Sequence, residues 1–130
     1  MYFVDSTSRK IYLLDYEKDT GHLSNRRVFL RVRRDEGLPD GLTVDSEDHV
    51  WVALCNGWSV VRCTPEGKIQ MKVRFPASKV TSLTFGGPDY TGIYVTSGGI
   101  PRVDGRAAGA LFCLNLGIRG IPEFKSRVLI

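Results

Sequence analysis

Residues 37–58 read GLPDGLTVDSEDHVWVALCNGW, and the fold depends on how this stretch is parsed. Leu38 to Gly41 is turn chemistry, because Pro39 fixes φ and Gly41 reaches conformations closed to other residues. A short run starts at Leu42 and breaks in the acidic stretch from Asp45 to Asp48. It resumes as His49-Val50-Trp51-Val52-Ala53-Leu54-Cys55 and stops at Asn56-Gly57, the strongest short-range hairpin signal. Beyond it Trp58 to Cys63 is again apolar and β-branched. Three antiparallel strands follow from this pattern. Asp40, between Pro39 and Gly41 just ahead of the first strand, is either an ordinary turn residue or an acid set at a strand end to hold a metal ion or a proton.

The flanking sequence repeats the same grammar. No segment sustains helical periodicity, and short alternating or β-branched runs are broken by turn residues instead. MYFVDS, KIYLLDY, RVFLRV, GLTVD, HVWVALC, WSVVRC, IQMKVRF, SLTFGG, GIYVTS, ALFCLNL and SRVLI are the strand candidates. Asp19-Thr20-Gly21, Asp45 to Asp48, Asn56-Gly57, Thr64 to Gly67 and Gly86 to Asp89 supply the turns. At longer range, YFVDS at Tyr2, VWVAL at Val50 and IYVTS at Ile93 share a pattern, 48 and 43 residues apart. GLTVDSED precedes the second and SLTFGGPD the third, but no equivalent precedes the first. A period in the forties with four strands per unit marks a β-propeller blade. The expected fold is all-β: a partial β-propeller of about three four-stranded antiparallel blades, the first lacking its innermost strand. Such an array cannot close on itself, so residues 1–130 are expected to be the C-terminal part of a single longer propeller domain. Self-association, or pairing with the missing blades, is the alternative.

A chain of 130 residues can bury a real core, and 42% hydrophobic with 25% charged residues excludes disordered and fibrous classes. No apolar run reaches the length of a bilayer span, and MYFVDSTSRK lacks the basic and apolar regions of a secretion signal. A soluble cytoplasmic protein without membrane contact is the expectation. Much of the +4 charge lies in NRRVFLRVRRDEG. Its alternation, and the acids Asp35 and Glu36 that follow, fit the wet face of an edge strand better than a nucleic-acid footprint. In the Asn56-Gly57 hairpin Cys55 faces Trp58 and Cys63 faces Val50. The two sulfurs are then roughly 16 Å apart at about 3.3 Å per residue, too far for a disulfide or a shared zinc. His22 and His49 have no partner at ligand spacing. Cys55, Cys63 and Cys113 are expected to be free thiols, buried or half-buried as small hydrophobes, in a reducing compartment.

The ordered set YFVDS, DYEKDTGHLSNRRVF, LPDGLTVDSEDHVWVALCNGWSVVRCTPEGK, FPASKVTSLTFGG, GIYVTSGG and AGALFCLNLGIRGIPEF resembles the C-terminal half of the regucalcin, senescence-marker and gluconolactonase family of six-bladed propellers. The resemblance covers nearly the whole chain and is most specific from Leu38 to Lys68. It implies one divalent cation at the top of a central channel, calcium most often and zinc or manganese in some members. It implies hydrolysis of a sugar lactone or another small ester, with a calcium-binding regulatory or scaffold role as the alternative. It places Asp40, the acid of the PDG motif, in the metal shell and makes it the candidate for proton transfer. The family's other ligands, a glutamate and an asparagine, and its substrate-binding arginine and asparagine would lie upstream of Met1.

A hard cation takes oxygen ligands, and one carboxylate with amide and water oxygens suits calcium. An ion there would polarise a lactone carbonyl, and an adjacent carboxylate can serve as base. Thr81 and Ser82 stand at the equivalent entry to the last blade, as weaker candidates for substrate contact or simply as residues that satisfy the backbone. Asp5 is expected to start the turn to Lys10, and the acids around Asp45 to form a solvated turn. Trp51 and Trp58 are expected to pack between blades.

Overall fold

Within residues 1–122, the part of the chain that the computed structural model describes, every expected strand is present. They are β1 (Tyr2–Asp5), β2 (Lys10–Tyr16), β3 (Leu23–Arg31), β4 (Leu38–Val44), β5 (Val50–Cys55), β6 (Ser59–Cys63), β7 (Ile69–Arg74), β8 (Val80–Gly86), β9 (Gly92–Ser97) and β10 (Leu111–Asn115). Each pairs antiparallel with its chain neighbours to make three sheets, β1-β2-β3, β4-β5-β6-β7 and β8-β9-β10. The first sheet shows three strands, and its β1, which carries YFVD, matches β5 of the second sheet in the repeat. The third shows three strands; the expected outer strand, SRVLI, lies outside the described residues.

β5 shows why the sheets stack face to face. Its side chains alternate between two cores, and both are dry. Val50, Val52 and Leu54 pack with Ile11, Leu30, Val32, Val61 and Cys63 between the first and second sheets. Trp51 and Ala53 pack with Val60, Val80, Leu83, Phe85, Ile93 and Val95 between the second and third. The near-continuous apolar run of β5 is therefore one alternating strand with a neighbour on each side. Each aliphatic side chain buried this way contributes about 1.5–3 kcal/mol. Trp51 meets Phe85 edge-on with centroids 5.8 Å apart, the inter-blade role expected of it. This is a partial β-propeller.

β3 is the outer edge of the first sheet and carries the arginines as expected. Arg27 pairs with Asp15 at 2.9 Å, and the Arg26 guanidinium lies 5.0 Å from the Tyr12 ring centroid. Val50 stands opposite Cys63 in the ladder, so Cys55 and Cys63 occupy opposite ends of the hairpin. Cys63 is buried, which pushes its thiol up to about 12, and Cys55 is half-buried. Cys113 departs from expectation and is exposed, because it lies on the face of β10 opposite Phe112 and Leu114, which pack inward. The sequence pattern also gave no sign of α1 (Pro101–Asp104) and the 3-10 turn Gly105–Ala107, which fold the β9–β10 connection into a small lobe. One helical turn is too short to print a periodicity.

Candidate functional site

Five connections gather at one end of the sheets: the turn after β1, the segment entering β4, the β5–β6 hairpin tip, the segment entering β8 and the β9–β10 lobe. Backbone bonds tie them together. The Trp58 amide donates to the Ser78 carbonyl at 3.3 Å, Phe75 to Trp58 at 2.8 Å, and Gly98 to Lys79 at 2.8 Å. Arg9, from the first sheet, donates through Nη1 to the carbonyls of Gly37 and Arg33 and so pins the approach to β4. Gly37, at φ +100, lies where a Cβ would come within 2.6 Å of the Gly57 amide nitrogen. Only glycine fits such a contact.

Asp40 stands just inside this end. Pro39 pairs with Leu54 and Leu42 with Val52, so Asp40 and Gly41 form a bulge with no register partner in β5. A bulge re-aims the side chains it carries and is common beside active sites. The residue is half-buried, and among the described residues its carboxylate makes no hydrogen bond and no ion pair. Its neighbour Gly41 touches Ser82: a Cβ on Gly41 would sit 2.3 Å from the Ser82 Oγ and 2.8 Å from its Cα. The structure thus brings the start of β4 against the start of β8, the inner edges of two successive sheets. Ser82 is exposed there, whereas the Thr81 hydroxyl is engaged with that of Thr96 at 2.9 Å.

Two charged groups flank Cys55 at this end. Burial pushes its thiol up, the Asp40 charge adds to the rise, and the Lys79 charge opposes it. Lys79 forms a bridge with Cys55 just before β8 begins. Asp104 of the lobe accepts from the Ser78 amide at 2.6 Å, the Ser78 hydroxyl at 3.0 Å and the Ile100 amide at 2.7 Å. Those bonds, the Ile100 amide foremost, hold its carboxyl below the ordinary range. Neither residue was picked out by sequence reasoning. Asp104 lies in a run of glycines and small residues that signals only a loop.

The opposite end corrects the expectation for Asp45. It is not a solvated turn acid but fully buried. Its Oδ1 accepts from the amides of Glu47 at 2.9 Å and His49 at 3.1 Å, and its Oδ2 from Trp51 Nε1 at 2.8 Å and Arg62 Nε at 2.7 Å. Arg62 also donates to Glu47 and Gln70, each at 2.7 Å. Burial alone would raise the Asp45 carboxyl, but these donors outweigh it and hold it low. Asp5, as expected, caps its turn by accepting from the Ser8 amide at 3.0 Å.

Successive antiparallel sheets stacked face to face, with their first strands β4 and β8 in contact, are the pattern of a propeller. Residues 1–99 match the family described as SMP-30/Gluconolactonase/LRE-like region, and the chain belongs to that family. It is 49% identical to regucalcin of Xenopus laevis over 98 residues, covering 75% of this chain and 33% of that protein. It is 40% identical to the pentonolactonase XacC of Haloferax volcanii over 136 residues, covering 98% of this chain and 47% of that protein. A solved calcium-binding protein, regucalcin of Agrobacterium tumefaciens, shares the fold with a TM-score of 0.88 at 24% identity, over 98% of this chain and 45% of its own. The chain spans less than half the length of the relatives it matches.

Calcium takes about 6–8 oxygen ligands. Among the described residues no group of three or more His, Cys, Asp or Glu side chains comes together. The donor set fits one place in a calcium shell, the Asp40 carboxylate, and does not complete one. No helix among the described residues is long and apolar enough to cross a membrane.

Proposed function

We propose that the chain forms part of a divalent-metal-dependent sugar-lactone hydrolase of the gluconolactonase kind, with calcium as the preferred ion. Further blades, in the same polypeptide or in a second one, supply the remaining oxygen ligands. Asp40 is the ligand this chain contributes, and also the base that takes a proton from the attacking water. A bound divalent ion supplies positive charge for the carbonyl oxygen of the lactone. The Arg9 clamp and the Gly37 and Gly57 packing hold the bulge that presents Asp40. Exposed Ser82 offers a hydroxyl beside it, and Thr81, committed to Thr96, offers less.

One observation carries this reading: Asp40 is half-buried in a bulge at the inner edge, with both oxygens unclaimed among the described residues. Asp45, five residues further on, has four donors on its two oxygens. The kinship with a pentonolactonase supports the hydrolase. The kinship with a calcium-binding regucalcin favours the second reading, a calcium-binding regulatory or scaffold propeller without turnover. The natural polypeptide carrying these residues should be assayed on aldonolactones with calcium, zinc and manganese, alongside Asp40→Asn. Metal-dependent hydrolysis that Asp40→Asn abolishes is the expected result. Calcium binding without hydrolysis would select the regulatory reading, and hydrolysis indifferent to Asp40 would remove the residue from the chemistry.

A further inference from the structure

Asp104 belongs to the β9–β10 lobe, yet its carboxylate holds a different part of the chain. Asp104 and Ser78 are both buried. Oδ1 of Asp104 accepts the Ser78 amide, and Oδ2 accepts the Ser78 hydroxyl and the Ile100 amide. The Ser78 amide, between β7 and β8, thus finds its acceptor on a side chain 26 residues further on. The lobe closes around that carboxylate, since a Cβ on Gly99 would lie 2.9 Å from Oδ2 and 2.8 Å from the Ala108 Cα. Ser78 is also where several elements of the Asp40 end meet. Its carbonyl accepts the Trp58 amide of the β5–β6 tip at 3.3 Å. Gly57, beside Trp58, packs against Gly37, the residue before β4. Lys79, next after Ser78, bridges Cys55, which stands opposite Leu38 at the start of β4. Beyond Lys79 a register shift between Val80 and Ser82 marks a bulge in β8, and Ser82 meets Gly41. The segment that Asp104 holds therefore reaches Asp40 from both sides. One route runs through the hairpin tip and Cys55 to Gly37 and Leu38, and the other through Ser82 to Gly41.

A bulge has no ladder partner of its own, so the packing around it decides where its side chains aim. A carboxylate ligand works in one orientation, and loss of an outer partner that sets it costs about 10–100-fold in metal affinity. We infer that Asp104 is a positioning residue for the Asp40 site. It touches neither ion nor substrate; it locks Ser78, so that the β5–β6 tip and the start of β8 hold the Asp40 bulge in place. The inference rests on the reading of Asp40 as a calcium ligand. What it adds is an energetic coupling between lobe and bulge along a continuous run of contacts, which experiment can measure at both ends.

The test compares the natural polypeptide with Asp104→Ala, Asp104→Asn, Asp40→Asn and Asp45→Asn, below the unfolding temperature of each. Asp104→Asn keeps the side chain's size but turns one acceptor into a donor, and it decides the matter if Asp104→Ala does not fold. Calcium affinity is read by calorimetry, and hydrogen exchange is followed at the Trp58 and Gly98 amides, neither of which is bonded to Asp104. Both Asp104 variants should bind calcium about tenfold more weakly than wild type, and the two amides should exchange faster. Asp45→Asn, which loosens the opposite end, should lose stability but keep its calcium affinity within about twofold. A merely structural acid would behave like Asp45: Asp104 variants that lose stability yet bind calcium as wild type does overturn the inference. Unchanged exchange at Trp58 in the Asp104 variants overturns it as well. Failure of the parent reading has its own signature, equal calcium affinity in wild type and Asp40→Asn, and it removes the site that Asp104 is inferred to hold. Calcium binding weakened in Asp40→Asn but not in the Asp104 variants keeps the ligand and discards the positioning role.

Discussion

Asp40 and Asp45 are five positions apart, at the two ends of β4, and the protein treats them in opposite ways. Asp45 is sealed, with two backbone amides, an indole and a guanidinium on its two oxygens. Asp40 is lifted out of the ladder by a bulge and, among the described residues, has no donor at all. A carboxylate that stabilises a fold is satisfied by that fold, whereas one kept for a ligand is not. The two ends of the blade stack differ along this line: one is locked by the Asp45–Arg62 network, and the other holds its loops through backbone bonds, the Arg9 guanidinium and the Asp104 carboxylate while leaving Asp40 without a partner among the described residues.

The largest effect that would break the contrast is loss of the sealed acid. Asp45→Ala leaves Arg62 buried without its main partner and should cost about 3–5 kcal/mol in denaturant unfolding. A loss below 1 kcal/mol would show that the network is dispensable. Gly41→Ala should cost about 1–3 kcal/mol, because its Cβ falls on Ser82 and the strand β8 must move. Combining it with Ser82→Gly should recover part of that loss, which a double-mutant cycle measures. Trp51→Phe keeps the ring against Phe85 but removes the donor to Asp45, for an expected loss of about 1–2 kcal/mol.

Acid provides a milder probe of the same acid in the wild-type protein. The folded Asp45 carboxyl titrates below its ordinary value of 3.8. Its contribution is therefore fully present above that value and drains away as pH falls through the lower, folded one. Unfolding free energy should fall below about pH 4, and Asp45→Asn should flatten that part of the curve. The smallest effect is expected at the other acid: Asp40→Ala should change stability by no more than about 0.5 kcal/mol, since it breaks no bond among the described residues.

The strands and their order could be read from the chain because turn residues and β-branched runs act locally. Asn56-Gly57 fixes a hairpin whatever surrounds it. The repeat of YFVDS, VWVAL and IYVTS then gave the stacking, since identical units can only bury identical faces against one another. Asp40 was legible, but only in part: Pro39 and Gly41 read as a turn ahead of the strand, whereas β4 already runs through Leu38 and Pro39, which pair with Cys55 and Leu54, and the irregularity at Asp40 and Gly41 is a bulge. The fate of Asp45 was not, because DSEDH is polar on the page and its burial depends on Trp51 and on Arg62, 17 residues away across the sheet. Lys79 escaped for the same reason: its neighbours Cys55 and Gly98 belong to other strands and loops. Cys113 was misjudged because alternation tells which residues share a face but not whether a further sheet covers it.

Calcium titration of the natural polypeptide and its Asp40→Asn variant, by calorimetry with thermal unfolding alongside, tests the free carboxylate most directly. Binding weakened at least tenfold, with an unfolding temperature unchanged within about 2 °C, is the outcome predicted for an acid held open for a ligand. Equal calcium affinity in the two proteins would contradict it.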